Sequence, residues 1–411
     1  LNIVWSNFAL DILVLCLATF NLLVAFSNFV LGTLFSFAQN SNRVITTGVP
    51  FLLITADARA AGMGDLGVAT SVDNYSQYWN PAKYVFSSNK KGFGLSYTPY
   101  LSKLVDDIFL GNITYYNKID ERSSWATSLR YFSLGDIQFN DFIGGSIIDQ
   151  GMERPSELTL DFSYSLKLSP KFSMAVAGRF IFSDLKIAAN SDNSSASTLG
   201  LDIATFYKSE VFDLSSKKAV FRSGLNISNI GPKLNYDSGE QKSFIPTNLR
   251  TGAGLELFID ENNSLGLYSE FSKLLVPTPV AVYDKNQNII GYGQPDIDFV
   301  SGIFKSFTDS PNGLSEELSE ITIALGLEYS FQGAFFIRTG YFNESIEKGS
   351  RRYLTMGAGF NLNFIDIDIS YLFSTSRVRN PLENTIRFSL SMNLDQSSSQ
   401  STINYDSENS L

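Results

Sequence analysis

Apolar and polar residues alternate along most of this chain, from Gly92 to Leu394. In residues 321–331, every second side chain is apolar and falls on one face of an extended strand, while Thr322 and Glu328 fall on the other face. A period of two predicts β-strands with one apolar and one polar face. Fourteen such segments are separated by turn residues, at 92–101, 107–118, 123–134, 157–168, 171–183, 197–208, 219–229, 247–258, 263–274, 321–331, 333–343, 352–362, 364–374 and 384–394.

The lengths of these segments and of their connections indicate a membrane barrel. Segments of roughly ten residues match a tilted crossing of a bilayer, whereas strands in soluble sheets average about five or six residues. Connections after segments two, four, eight, ten and twelve are short, and those after three, five, seven and nine are long; residues 209–218, after segment six, depart from this rule. Short turns at one rim and long loops at the other are typical of transmembrane barrels. The sequence therefore predicts an all-β fold, a 14-stranded antiparallel transmembrane β-barrel over residues 92–394.

Charged residues recur on the polar face of these segments. The alternative interpretation, a large soluble all-β protein, would bury them in a dry core, where unpaired charges are strongly destabilising. A barrel would instead place them in a wet lumen. These residues are Arg130, Arg179, Arg222, Arg250, Arg338, Arg387, Asp161, Asp202, Glu256, Glu270, Glu328, Asp366 and Asp368.

The stretch from residue 56 to residue 86 does not alternate and is rich in alanine and glycine. Such a backbone packs closely and adopts positive φ angles, and Pro81 after Asn80 disfavours a regular helix at that point. Fourteen strands enclose more space than their own side chains fill. We therefore expect residues 39–91 to comprise an N-terminal lead followed by a compact plug inside the barrel. The plug is here called the hatch.

The two ends of the chain differ from the barrel region. Residues 1–38 are apolar with Asp11 as their only charge, and the small-x-small ending SFA is typical of a signal peptide. The segment lacks a basic start, and its apolar part is long enough to span a bilayer, so an uncleaved anchor is the alternative. Residues 395–411 are polar and of low complexity, and we expect them to be disordered.

The composition excludes several classes of function. The sequence contains no histidine and a single cysteine, Cys16. Catalytic sites of the Ser-His-Asp or Cys-His type and metal sites built on His or Cys are therefore ruled out. A net charge of −10 without a basic cluster argues against nucleic-acid binding. We expect a protein that is not an enzyme and holds no cofactor.

Two motifs suggest ligand sites, but their contexts do not fit. The GxGxxG pattern that begins at Gly62 matches a dinucleotide fingerprint, yet it does not lie between a strand and a helix. The stretch from Asp284 resembles the start of a calcium loop, but Ile289 replaces the central glycine and Pro295 replaces the final glutamate. A hairpin turn within the long connection is the better interpretation of this second stretch.

The hatch region carries a family resemblance. The sequences RAAGMG from Arg59 and WNPAK from Trp79, followed by GFGLSYTPYL from Gly92, resemble the PorV family of Bacteroidetes outer-membrane proteins, a branch of the FadL-like barrels. The resemblance extends from about Asn42 to Leu394. It implies a barrel with an N-terminal lumenal hatch in the cell outer membrane, surrounded by lipid. The hatch residues that we expect to matter are Arg59, Gly62, Gly64, Asp65, Gly67, Trp79, Asn80 and Pro81.

The resemblance further implies a role in type IX protein secretion. The barrel would bind secreted client proteins through their C-terminal signal domains, next to the translocon barrel of the system, and pass them to the surface sortase complex. The long connection is too apolar for a solvated flap, and exposed apolar loops usually mark a partner site. We expect a partner-binding loop formed by Val280, Val282, Tyr283, Ile289, Ile290, Tyr292, Phe304 and Phe307.

A channel for hydrophobic small molecules, as in other FadL-like barrels, is the alternative function. It requires an apolar pocket beside the hatch. The inward-facing residues are mostly small or charged, but Phe206, Phe336 and Phe342 would allow a small pocket.

Overall fold

The computed structural model describes residues 43–143, 146–185, 195–236, 242–376 and 382–394. The predicted leader and the predicted C-terminal tail lie outside these residues. In the described part of the chain, no helix is both long and apolar enough to cross a bilayer.

Fourteen strands of the described residues close into one antiparallel barrel, in which β19 pairs with β1. They are β1 (Lys91–Pro99), β2 (Ile108–Lys118), β3 (Ser123–Leu134), β6 (Ser156–Ser169), β7 (Phe172–Asp184), β8 (Ser195–Lys208), β10 (Lys217–Ile230), β11 (Asn248–Phe258), β12 (Asn263–Leu274), β15 (Thr322–Phe331), β16 (Phe335–Asn343), β17 (Arg352–Leu362), β18 (Ile365–Ser374) and β19 (Ile386–Asn393). Five further strands lie outside the barrel wall: β4 (Ile137–Ile143), β5 (Ser146–Glu153), β9 (Phe212–Leu214), β13 (Val280–Tyr283) and β14 (Ile289–Gly293). Every predicted barrel strand agrees with the observed one to within two residues at each end, which confirms the predicted fold class.

The alternation places apolar side chains outside the barrel and polar side chains inside it, because successive residues of a strand point to opposite faces. On β6, Asp161 is buried in the interior, whereas Phe162 is 56% exposed on the outer surface. On β15, Leu325 is exposed and Glu328 is buried. The outer wall therefore has the apolar surface that a transmembrane barrel presents to lipid.

The connections sort by length between two rims. At the short-turn rim, β2 and β3, β6 and β7, β11 and β12, β15 and β16, and β17 and β18 are joined by brief turns. The connection between β8 and β10 is longer because β9 folds back and pairs with β10, Lys217 lying opposite Leu214. The opposite, long-loop rim carries the β4–β5 hairpin, the β13–β14 hairpin and two short helices, Phe299–Lys305 and Leu314–Ser319.

The β13–β14 hairpin confirms the turn expected near Asp284. The Asp284 carboxylate accepts hydrogen bonds from the backbone N–H groups of Asn286 and Asn288, each at 2.8 Å. The β4–β5 hairpin and the two helices were not expected from the sequence, because their segments lack a clear period.

The N-terminal part of the described chain runs from the long-loop rim into the barrel. Phe51 stacks on Phe132 of β3 with ring centroids 6.0 Å apart, and Gly48 N donates to Phe244 O at 2.9 Å. The hatch follows, built from short irregular elements: 3-10 helices at Pro50–Leu53 and Pro81–Phe86, and single helical turns at Ala58–Ala61 and Ser76–Trp79.

Candidate functional site

Asp57 organises the first helical turn of the hatch. Its carboxylate accepts a hydrogen bond from Ala60 N at 2.8 Å, which caps the turn, and another from Trp79 Nε1 at 2.7 Å. Asp57 is fully buried, and burial together with the nearby charge of Asp73 raises its pKa to about 6. One side chain thus ties together the two motifs that carry the family resemblance.

Arg59 joins the hatch to the barrel wall. Its guanidinium donates to both carboxylate oxygens of Glu328 on β15, from Nε at 3.0 Å and from Nη2 at 2.9 Å. It also pairs with Asp73 of the hatch at 2.9 Å, while Glu328 accepts a further bond from Arg338 on β16 at 2.6 Å. Two-pronged arginine–carboxylate contacts fix orientation as well as distance.

The three predicted hatch glycines lie where the backbone touches the wall or a ring. Gly64 has a φ of +82°, and its N–H donates to Thr355 Oγ1 on β17 at 2.8 Å. Thr355 Oγ1 in turn donates to Gly62 O at 3.0 Å. Gly67 N donates to Glu270 on β12 at 2.8 Å, and a Cβ atom at Gly67 would lie 2.4 Å from the Trp79 ring. Gly64 and Gly67 have no room for a side chain, whereas a Cβ atom at Gly62 would lie 3.1 Å from Gly357 Cα on β17, a tight contact.

Glycines of the barrel wall complement those of the hatch. A Cβ atom at Gly340 on β16 would lie 2.0 Å from the carbonyl carbon of Met63, and one at Gly224 on β10 would lie 2.2 Å from Val68 O. The sequence interpretation missed these wall positions. Their signal was present, because a glycine at an inward position of a strand marks close approach by another backbone.

The remaining predicted hatch residues also contact the wall. Asp65 accepts a hydrogen bond from Arg387 on β19 at 2.7 Å. Asn80 Nδ2 donates to Thr205 O on β8 at 2.9 Å, and Pro81 O accepts from Ser165 Oγ on β6 at 2.8 Å. The hatch is therefore bonded to the wall on several sides.

Lys83, within the second motif, was not among the predicted site residues. Its ammonium group is buried and donates to Gly67 O at 2.9 Å and to Thr70 Oγ1 at 3.1 Å. Burial lowers the pKa of Lys83 to about 8. The side chain links the two halves of the hatch.

Some wall charges next to the hatch form a buried, paired group, which differs at this level from the wet lumen expected from the sequence. Arg179 on β7 is 4% exposed and pairs with Asp161 on β6 and, at 3.1 Å, with Asp202 on β8. The reason is that the hatch fills the bore at this level, so the charges are stabilised by one another rather than by water.

Two cavities lie on opposite sides of the hatch and share no lining residue. The cavity toward the short-turn rim, of about 240 Å³, is lined by polar groups including Arg59 and Glu328. The cavity toward the long-loop rim, of about 620 Å³, has Asp65 and Trp79 of the hatch in its lining. Its apolar walls comprise Phe51, Ile54, Tyr100, Ile108, Phe132, Leu134, Leu274, Phe342 and Leu382.

The three phenylalanines that would allow a single pocket do not come together. Phe342 lines the larger cavity and Phe336 the smaller one. Phe206 packs on Phe86 of the hatch, with ring centroids 5.7 Å apart. The larger cavity is built mainly from the N-terminal lead and the strand ends, which the inward-facing pattern did not reveal.

The predicted partner-binding residues all lie at the long-loop rim with exposed side chains. The largest exposed fractions are 73% for Phe304, 67% for Ile290 and 59% for Tyr283. The others, each at least 39% exposed, are Val280, Val282, Ile289, Tyr292 and Phe307.

A cluster of glutamates holds the base of this loop on the barrel, here called the glutamate clamp. Lys273 at the end of β12 pairs with Glu317 at 3.0 Å and with Glu320 at 2.5 Å. Lys348, in the β16–β17 connection, pairs with Glu316 at 2.7 Å and with Glu320 at 2.9 Å. The clamp residues are buried, so the apolar loop stands on a fixed base.

We expect the clamp to loosen in acid. Burial alone would raise the pKa of Glu320, but hydrogen bonds from Lys273 and Lys348 outweigh it and hold the pKa below the ordinary 4.5. A carboxylate with a lowered folded-state pKa stabilises the fold fully above its unfolded pKa and loses that contribution as the pH falls through the folded value. The anisotropy of a fluorophore at Leu318→Cys, in a Cys16→Ser background, should therefore fall below pH 4.5. A Glu320→Gln control should lack most of this step, and a step of unchanged size would assign it to other groups.

The family model of type IX secretion system protein PorV matches residues 37–281. No match was found among curated proteins.

Several solved outer-membrane structures are similar to the chain at low identity. The toluene transporter TodX of Pseudomonas putida is 12% identical, with 83% of this chain and 99% of that chain covered and a TM-score of 0.48. A FadL homologue of Pseudomonas aeruginosa is 10% identical, with coverages of 86% and 99% and a TM-score of 0.43. The family match spans more than half of the 411 residues. The chain therefore belongs to the PorV family of type IX secretion system proteins.

Proposed function

We propose that this protein is an outer-membrane receptor and shuttle of type IX secretion. It binds secreted client proteins through their C-terminal signal domains beside the translocon barrel and delivers them to the surface sortase complex. The single observation that carries this proposal is the exposed apolar loop, fixed by the glutamate clamp above a barrel that the hatch fills. Long loops of bacterial outer-membrane barrels face the outside of the cell, so this loop would meet clients at the surface.

The closed bore supports a binding role over a conducting one. The hatch is bonded to β15 through Arg59, to β12 through Gly67 and to β17 through Gly64. A path through the barrel would require these buried contacts to break together. Clients that remain at the long-loop rim require no such opening.

The exposed loop supports a protein partner. Its hairpin and the helix that carries Phe304 present aromatic and aliphatic side chains to solvent, although the base of the loop is held by buried ion pairs. Exposed contiguous apolar surface on a rigid support is typical of protein–protein interaction sites. Because the base is fixed, little conformational entropy would be lost on binding.

Removing the β13–β14 hairpin should abolish client capture and leave the barrel folded. Val280 and Gly293 are cross-strand partners, so their backbones are about 5 Å apart and two glycines can replace the whole hairpin. We expect the affinity for a purified C-terminal signal domain to fall at least about tenfold, which corresponds to a loss of about 1.4 kcal/mol of binding free energy. Biolayer interferometry on the detergent-solubilised barrel measures this affinity.

Leu104→Ser provides the matched control. Leu104 is 74% exposed on a different long loop, so its replacement removes exposed apolar surface outside the hairpin. Client binding should be unchanged by this substitution. Equal binding by wild type and by the hairpin replacement would show that the client lies elsewhere.

A channel for hydrophobic molecules is the second candidate, and the cavity of about 620 Å³ is the observation that favours it. Its apolar walls and size suit a small hydrophobic ligand. Affinity purification from solubilised outer membranes separates the two candidates. Recovery of a very large barrel and of secreted proteins with a shared C-terminal domain would support the shuttle, whereas recovery of the barrel with only bound lipid or fatty acid would support the channel.

A further inference from the structure

The β13–β14 hairpin is a two-stranded sheet, and neither strand has a second strand neighbour among the described residues. Four cross-strand pairs define it, from Val280 opposite Gly293 to Tyr283 opposite Ile289. An isolated two-stranded hairpin is marginally stable in water. An additional strand along one edge would therefore complete a more stable sheet.

The hairpin has some of the features that protect a sheet edge and lacks others: its strands are short and Ile290 is skipped in the pairing, but no charge or proline blocks the edge. Its strands read VAVY and IIGYG, without a charge or a proline. Natural edge strands are usually protected by lysine, proline, inward-pointing charges or a covering element. Most side chains of β13 and β14 are exposed, and Arg43 of the N-terminal lead lies over the Tyr292 ring at 5.5 Å.

The hydrogen-bonding pattern identifies the outward groups of β13. Asp284 N donates to Asn288 O at 2.9 Å, so the N–H of Asp284 points toward the partner strand. In an antiparallel pair, successive residues alternate between pointing toward the partner and pointing away from it. The register shifts between Val282 and Tyr283, but the extra residue, Ile290, is on β14, so the alternation along β13 continues. The N–H of Val282 therefore points inward, and the N–H groups of Ala281 and Tyr283 lie on the outer edge of β13.

The base of the hairpin is held in place on both sides. Thr278 N, just before β13, donates to Asp309 at 3.0 Å. Gln294, just after β14, accepts from Phe244 N at 3.1 Å and donates to Thr46 O at 2.5 Å. The edge is thus presented in a fixed orientation, which lowers the entropic cost of pairing with it.

We propose that the outer edge of β13 binds an edge strand of a β-sheet domain in the secreted client, by backbone hydrogen bonds between the two strands. This proposal rests on the proposed function and specifies its mode of recognition. Strand addition supplies affinity through main-chain bonds, and flanking side chains supply specificity. Just after β14, Asp296 and Asp298 are exposed, with Lys233 3.9 Å from Asp296 as the one cation that an ion pair places there among the described residues. The client strand that fits this end of the hairpin carries lysine or arginine beside its apolar residues.

A pair of substitutions at Ala281 tests the backbone contact. Ala281→Pro removes the outward N–H, while the hairpin's own ladder is retained because an outward N–H takes no part in it. Ala281→Val keeps the N–H and suits a strand. We expect Ala281→Pro to weaken binding of a purified client C-terminal domain about fivefold or more, the equivalent of about one hydrogen bond, and Ala281→Val to bind as wild type.

Amide hydrogen exchange provides the second measurement. On addition of the client domain, the amides of Ala281 and Tyr283 should become protected, whereas the amide of Val282, already bonded within the hairpin, should change little. If Ala281→Pro binds the client domain as the wild type does, or if Ala281 and Tyr283 gain no protection, strand pairing is overturned. The shuttle function would still stand in that case, provided that the wild type binds the client domain. If the wild type failed to bind the domain, both proposals would fall. An effect of Ala281→Pro confined to self-association of the barrel would identify a second copy as the occupant and also overturn the proposal.

Discussion

Replacing Gly340 by alanine should displace the hatch and open the barrel to ions. A Cβ atom at this position would lie 2.0 Å from the carbonyl carbon of Met63 and 2.1 Å from Gly64 N. Both are backbone atoms, and Gly64 is held by its bond to Thr355, so the clash cannot be relieved by a side-chain rotation. Overpacking of this kind costs about 1–3 kcal/mol, and we expect the hatch to avoid it by moving away from β16.

Single-channel conductance in planar bilayers measures this opening directly. Wild type should remain closed, and Gly340→Ala should show frequent open events and faster proteolysis of the hatch. Gly178→Ala is the matched control, because no atom lies within 4 Å of the added Cβ on β7. If the Gly340→Ala barrel stayed closed, the clash would be relieved by bending of β16 and not by movement of the hatch. A wild-type barrel that conducts or takes up fatty acid would favour the channel candidate.

The barrel was predictable because its signal is repeated and has a single period. Strand β15 shows the reason: alternate residues such as Leu325 and Glu328 must face lipid and interior, so the environment determines the pattern at every position. A one-residue error in register would reverse all of these faces. The five strands outside the wall have no such constraint. β9, for example, is three residues long and exposed, and nothing in its sequence distinguishes it from a turn.

The hatch was predictable as a location but not as a structure. Small residues around Gly62 indicated close packing, and Arg59 and Trp79 came from the family motifs. Their partners could not be deduced, because Glu328 lies 269 residues after Arg59 in the chain and only the closed barrel brings them together. The same holds for the glutamate clamp, in which Lys348 meets Glu316 and Glu320 across a loop of irregular structure.

The arrangement of hatch and loop separates two tasks in one chain. Buried ion pairs and glycine contacts hold the hatch in the bore, and the glutamate clamp independently fixes the loop for which we propose client binding. The larger cavity lies between them, with Glu320 and Lys348 of the clamp and Asp65 of the hatch in its lining. Substitutions in the hatch should therefore change permeability without changing client affinity, and substitutions in the loop should do the reverse.

Replacing Arg59 by methionine should release the hatch more strongly than any other single change to its side chains. Arg59 bonds both oxygens of Glu328 and pairs with Asp73, and these groups are largely buried. Removing one member of a buried ion pair costs about 3–5 kcal/mol, because the remaining charge loses its compensation. Hydrogen exchange of the amides of Ala60 and Gly62 should rise accordingly, while that of the β15 amides should change little.

A double-mutant cycle with Glu328→Gln tests the assignment of this effect to the ion pair. In Arg59→Met, the Glu328 carboxylate keeps Arg338 as its partner on the wall, and Glu328→Gln removes that carboxylate charge. Arg338 remains paired in the double variant, because it also contacts Asp368 at 2.6 Å. If the pair carries the effect, the double variant should open the hatch less than the sum of the two single variants, since both would remove the same interaction. Arg59→Lys should be intermediate, because an ammonium group keeps the charge without the planar fork. Strictly additive free energies would show that Arg59 holds the hatch through Asp73 and packing, and that its bonds to the wall of β15 contribute little.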